Sequence, residues 1–211
     1  MLAGCFALTI NAGFINGVTL RSVNPQTVSS TTGAISAMGS YMVLNDWEET
    51  KVRFLLIFGF SMGAAVTGYF IPGDTFSLDN SYLPVLIMEI VCICIALGIE
   101  VSYPDNDYFI YVCAGICGLQ NAMTTGYSGT IIRTTHMTGI HTDLGYELGK
   151  LVKGQCKDPA KFLYFFVIIS GYFLGAVCAG LIFPYWDREA LIFSAVLYAL
   201  FIVAYVMVVF L

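Results

Sequence analysis

Charge is scarce in this sequence. Asp, Glu, Lys and Arg make up 11% of the 211 residues, against roughly 25% in a soluble domain, while 58% are hydrophobic and the mean hydropathy is +0.80. That shortage places the chain in a lipid bilayer, its first expected partner. Basic runs with interleaved aromatics are missing, which excludes nucleic acid as a partner. The net charge of −5 comes mainly from short loops such as PGDTFSLD and YPDND. Catalytic signatures are missing too: there is no H-E-x-x-H, no G-x-S-x-G and no P-loop, and His136 and His141, five apart, point to different helix faces. No enzymatic activity and no cofactor are expected. Of the seven cysteines, Cys5, Cys92, Cys94, Cys113, Cys117 and Cys178 lie in apolar stretches, where a free thiol behaves as a small hydrophobe. Cys113 and Cys117 share a helix face, but no histidine or carboxylate accompanies them, so no metal site is expected.

Long apolar runs are abundant. A membrane-spanning helix needs about 20 mostly apolar residues, and six stretches qualify: 2–20, 53–71, 83–101, 108–124, 162–183 and 189–211. The first has no basic n-region and is interrupted by Asn11 and Asn16, so it reads as a span rather than a removable signal. The expectation is an all-α, polytopic membrane helix bundle forming a single transmembrane domain over 1–211.

An internal repeat organises the chain. FLLIFGFSMGAAVTGYFIP (54–72) lies over FVIISGYFLGAVCAGLIFP (166–184) at a constant shift of 112, placing Gly59, Gly63, Gly68 and Pro72 on Gly171, Gly175, Gly180 and Pro184. Glycines at this spacing let another helix approach closely, which is how membrane helices pack. Upstream, GFING (13–17) lies over GLQNA (118–122) and STTG (30–33) over HMTG (136–139), at shifts of 105 and 106, the difference being absorbed by the loop KGQCKDPAK. Residues 1–103 and 104–211 therefore read as two copies of one unit. Each contains three clear spans and one semi-polar segment, 27–44 or 131–151. If that segment dips in and returns, the units are inverted with six spans; if it crosses, they are parallel with eight. Lys51 and Arg53 follow the first such segment, and Lys150, Lys153, Lys157 and Lys161 the second. The positive-inside rule places both loops in the cytoplasm, which favours eight spans.

The second semi-polar segment concentrates charge. Read as one helix, Arg133, His136, Ile140, Asp143, Glu147 and Lys150 follow steps of 3, 4, 3, 4 and 3, a stripe about 25 Å long at 1.5 Å per residue. A charge at the bilayer centre costs at least about 2.5–3.5 kcal/mol, so this face must meet protein or water. It is either an amphipathic or ion-paired structural helix, or one wall of a hydrophilic path between the units. The first unit has Thr27 and Ser30 where the second has Arg133 and His136, which favours the path over a scaffold built twice. Gly33 and Gly139 each follow a threonine, Thr32 and Thr138; they either open their helices where the backbone lines a cavity or pack as glycines in intact helices. Thr134 and Thr135 adjoin Arg133, and Asn16, Gln120 and Asn121 end their apolar runs near these segments, able to bind a ligand or to cap helices. Glu89, alone in LPVLIMEIVCICIAL, is a candidate partner for Arg133.

The stretch GLQNAMTTGYSGTIIRTTHMTGIHTDLGYELGK (118–150) resembles the YoaK-like family of bacterial multi-pass membrane proteins, also described as domain of unknown function 1275. Its pattern G-x-Q-N-A, R-T-T-x-x-T-G and T-D-L-G is met by Gly118, Gln120, Asn121, Ala122, Arg133, Thr134, Thr135, Thr138, Gly139, Thr142, Asp143, Leu144 and Gly145. The first half departs from the family, with Asn16 where an aspartate is usual and Thr31, Thr32, Gly33 and Ala34 where M-T-G-N is usual. The resemblance implies a protein of the bacterial inner membrane with six spans, which counts against eight, and no settled activity. The expected function is a secondary transporter of a small polar or anionic solute bound between the units; the alternative is a non-catalytic membrane scaffold or regulatory subunit.

Overall fold

The computed structural model describes residues 2–71, 75–129 and 132–210. Among them are eight α-helices and no strand: α1 (Leu2–Thr19), α2 (Thr31–Val43), α3 (Trp47–Phe70), α4 (Tyr82–Ser102), α5 (Phe109–Ser128), α6 (Met137–Val152), α7 (Ala160–Trp186) and α8 (Leu191–Phe210), with a 3-10 turn at Asp187–Ala190 between the last two. Local chemistry sets several ends. The Asp46 carboxylate accepts from the Glu49 amide and caps α3, whose first turn carries Glu48 and Glu49 on the favourable side of the helix dipole. Gly129, at φ +57°, closes α5 in the left-handed conformation that glycine adopts without strain.

Length separates two classes of helix. Leu2–Thr19, Trp47–Phe70, Tyr82–Ser102 and the 50-residue run Ala160–Val209, which holds both α7 and α8, are long and apolar enough to cross a membrane. The outward faces of the long helices carry Phe58, Met62, Phe173, Leu181 and Val203, as hydrocarbon requires. With 13 residues in α2 and 16 in α6, the short helices reach only about 20 and 24 Å, less than the roughly 30 Å of a hydrocarbon core.

Glycines bring the long helices together. A Cβ on Gly13 of α1 would strike the Tyr172 carbonyl of α7, and one on Gly175 of α7 would strike the Ile10 carbonyl of α1; farther along, Gly17 meets Ala176 and Ala179, so α1 and α7 run parallel. A second crossing repeats the arrangement. Gly63 of α3 lies on the Gly115 carbonyl of α5, Gly118 of α5 lies on the Phe60 carbonyl of α3, and the Thr67 hydroxyl donates to the Leu119 carbonyl at 3.0 Å. Close backbone approach of this kind suits an environment where lipid removes the hydrophobic incentive for helix association.

The remaining pairs are antiparallel. Gln120 of α5 bonds the Leu8 carbonyl of α1, while the earlier α1 residue Gly4 shares a crevice with the later α5 residue Tyr127. Tyr82, at the start of α4, packs on Tyr127 and Tyr205, near the ends of α5 and α8, and Phe14 of α1 packs on Phe193 of α8. Hence α1, α4 and α7 run one way and α3, α5 and α8 the other.

Successive long helices therefore alternate in direction, and α2 and α6 each begin and finish at the end where they started. This alternation fits the six-crossing alternative better than the eight expected, since the helices matched by the sequence shift (α1 with α5, α3 with α7, α4 with α8) run oppositely. The premise that failed was a common side for the two basic loops, which lie at opposite ends. The expected charged helix over 133–150 is corrected. Helix α6 starts only at Met137, so Arg133 and His136 are off its face, and it packs on α7 rather than between the two halves. Helices α1 and α7 form one close pair, with α6 packed on α7; α3 and α5 form another, with α2 on α3 and α4 on α5; and α8 bridges the two groups, packing on α4 and on α1.

Candidate functional site

Four of the long helices place a polar side chain near mid-length where their neighbours are apolar. Asn11 of α1, Glu89 of α4, Gln120 of α5 and Tyr198 of α8 are exposed by 1%, 0%, 1% and 1%. Asn11 belongs to the α1/α7 group and Glu89 and Gln120 to the α3/α4/α5 group, with Tyr198 on the bridging α8, so they meet at the seam between the groups. Gln120 ties the seam together: its Nε2 donates to the Leu8 carbonyl at 2.8 Å, and its Oε1 accepts from the Tyr198 hydroxyl at 2.6 Å. Both carboxyl oxygens of Glu89 and both amide atoms of Asn11 have no hydrogen-bond partner among the described residues. Leaving a buried polar group unsatisfied costs about 1–3 kcal/mol, and more for a charge, so these groups are held for something other than stability.

A crevice of about 360 Å³ reaches toward this cluster from one end of the bundle. Its walls include Leu8, Leu86, Thr124 and Phe201, each one helical turn from Asn11, Glu89, Gln120 and Tyr198 respectively. Its mouth is formed by Gly4, Tyr82, Tyr127 and Tyr205, and the Tyr205 hydroxyl donates there to the Asp79 carbonyl. In that loop the Ser81 hydroxyl and backbone amide hold the Asp79 carboxyl below its ordinary value.

The opposite end is sealed. Arg188 donates from Nη1 to Glu100 at 3.0 Å and to Asp107 at 3.4 Å, and from Nη2 to the Pro104 carbonyl at 2.9 Å. The Asn24 amide donates to Asp107, and its side chain to Glu49 at 3.3 Å; Glu49 pairs with Arg53 at 2.9 Å. This network joins the two groups. A cleft of about 530 Å³ lined by Glu100, Pro104, Pro184 and Arg188 lies over it.

Of the residues singled out by sequence, Gln120 and Glu89 lie in this cluster and the others fall elsewhere. Asn16 accepts from the amide and hydroxyl of Ser29, whose hydroxyl also meets Tyr172 at 2.8 Å, and Asn121 accepts from the Thr135 amide at 3.2 Å. The two asparagines thus clamp equivalent segments ahead of α2 and α6. Ser30, Thr32, Gly33, His136, Thr138 and Asp143 are at the surface or close to it. Gly33 and Gly139 do not open their helices: each sits in an intact first turn, where Gly139 leaves room for the His136 ring and Gly33 for the Ser30 hydroxyl. Thr134 is fully buried with its hydroxyl unpartnered among the described residues, as is Nε of the half-buried Arg133. Arg133 does not pair with Glu89, whose carboxyl has no such partner. Glu147 is held by Lys150 at 3.2 Å and Lys161 at 3.3 Å, and chiefly the Lys150 bond lowers its carboxyl below the ordinary range. The sequence reading missed Tyr198 and noted Asn11 only as an interruption; the available signal was one polar residue in the middle of an otherwise apolar span.

A family model described as protein of unknown function (DUF1275) matches residues 4–204, so the chain belongs to that family. No curated protein matches, and no solved structure does. The family and the apolar helices mark an integral membrane protein.

Proposed function

From that premise, an integral membrane protein of this family, we propose that the chain is a secondary transporter of a small polar solute, bound at Asn11 and Glu89 beside the Gln120–Tyr198 pair that holds the seam. The observation that carries the reading is the set of buried, partly unpartnered polar groups at the seam, one turn beyond a crevice open at one end and facing an ion-paired seal at the other. Alternating access needs such a site between two bodies, with one side closed. The matched glycines, the two asparagine clamps and the opposite directions of α1 and α5 support a reading as two inverted repeats. Glu89 favours a neutral or cationic solute over an anionic one. Lys150, Lys153, Lys157 and Lys161 gather at the crevice end, which the positive-inside rule assigns to the cytoplasm of a cell membrane.

Uptake of a panel of labelled polar solutes into proteoliposomes tests this. At least one solute is expected to accumulate, with uptake lost in Asn11→Ala and Gln120→Leu and kept in Lys157→Ala. A folded protein that moves no member of the panel in either orientation overturns the transporter and leaves a membrane scaffold.

A further inference from the structure

We propose that Glu89 carries the proton that couples transport, an inference that rests on the transporter reading and names its coupling ion. Among the described residues, Glu89 is the acid at the middle of the bundle; Glu100, Asp107 and Glu49 are paired at the sealed end, and Asp143 and Glu147 belong to α6, outside the seam. No basic side chain among the described residues pairs with it. From α5 it faces Cys117 and from α8 Tyr198, whose hydroxyl is shared with Gln120 and lies by Asn11, with Cys92 and Tyr82 on its own helix. The charged groups of α3, Glu48, Glu49, Lys51 and Arg53, lie in its first two turns, and Arg188 sits at Glu100, eleven residues along α4.

A carboxyl built only to lock helices would have a cationic partner or could be an amide. This one has neither bond nor countercharge among the described residues, so at its buried depth it is held neutral by a proton or balanced by a solute. A metal cation fits poorly. Gln120 Oε1 and the Tyr198 hydroxyl are spent on each other, leaving the two oxygens of Glu89 and one of Asn11, while hard cations take about six. A proton needs a single oxygen. Leu86, one turn below Glu89, lines the crevice, so the carboxyl lies one helical turn from the open end. The carboxylate takes a proton from water on one side, crosses the conformational change as a neutral acid and returns the same proton to water on the other.

Infrared spectroscopy of the full chain in lipid tests the assignment without knowledge of the solute. The wild type is expected to show the carbonyl stretch of a protonated carboxylic acid that is missing in Glu89→Gln, returns in Glu89→Asp and shifts when water is replaced by heavy water. Absence of the band means an ionised carboxylate, and a band that does not shift means a locked proton; either result overturns the proposal. In proteoliposomes, whatever uptake Glu89→Gln retains is expected not to respond to a pH gradient that drives the wild type, and a retained response overturns coupling through this residue. An uptake panel that fails in the wild type overturns the transporter reading and coupling with it, whereas the infrared outcome alone can end the proton assignment and leave transport standing.

Discussion

At the end where α4 finishes, Arg188 gathers Glu100, Asp107 and the Pro104 carbonyl from the opposing group; at the other end, Glu147 holds Lys150 and Lys161, and both pairs stay within α6 and α7. The first set of bonds spans the seam and must break for the groups to part. The second does not cross the seam at all, and the faces left there are Leu8, Leu86, Tyr127 and Phe201, which can separate without stranding a charge. The difference teaches that an ion pair acts as a gate through the bodies it connects rather than through its strength.

The comparison is broken most completely if the two ends do not lie on opposite sides of a membrane. A cysteine placed at Asn45 and the native Cys156, in the loops before α3 and α7, are expected to react with a membrane-impermeant maleimide from opposite sides, all or none; labelling from one side restores the eight-span arrangement. Next in size is Arg188→Ala, which leaves Glu100 and Asp107 without their cation. It is expected to destabilise the protein by about 3 kcal/mol in thermal or denaturant unfolding and to make position 104, as a cysteine, reactive. At the open end, Ala204→Trp fills the crevice beside Phe201 and Tyr205 and is expected to abolish uptake with an unchanged unfolding midpoint. The smallest effect is expected from Lys161→Ala, whose pair with Glu147 is half exposed and screened, so the midpoint moves little. Because Lys150 and Lys161 hold the Glu147 carboxyl below its ordinary value, their contribution is present above that ordinary value and lost as pH falls through the lowered one. An unfolding midpoint that drops between neutral and mildly acidic pH contradicts the pairing.

The six long helices could be read from apolar runs because hydrocarbon imposes a length and a composition on anything that crosses it. Glycine spacing showed two equivalent crossings, and the structure puts Gly63 and Gly175 in them. What composition could not show is direction, since 27–44 and 131–151 are polar enough to return and apolar enough to cross. The charged stripe failed for a local reason: residues 132–136 are held out of the helix, with Asn121 taking the Thr135 amide, and period counting is blind to a side-chain clamp fourteen residues away. Gln120 was noticed for its place near a helix end, yet its role comes from Leu8 and Tyr198, which only the assembled seam supplies.

The pairing of α1 with α7 has a consequence for biogenesis. A ribosome that has delivered the first hundred residues leaves α1 in the membrane with its glycine face uncovered, and the helix that covers that face is not finished until residue 186. The nascent chain must therefore wait, shielded by the insertion machinery or by a second molecule, and truncation after the fourth helix strands the first one rather than producing half a protein.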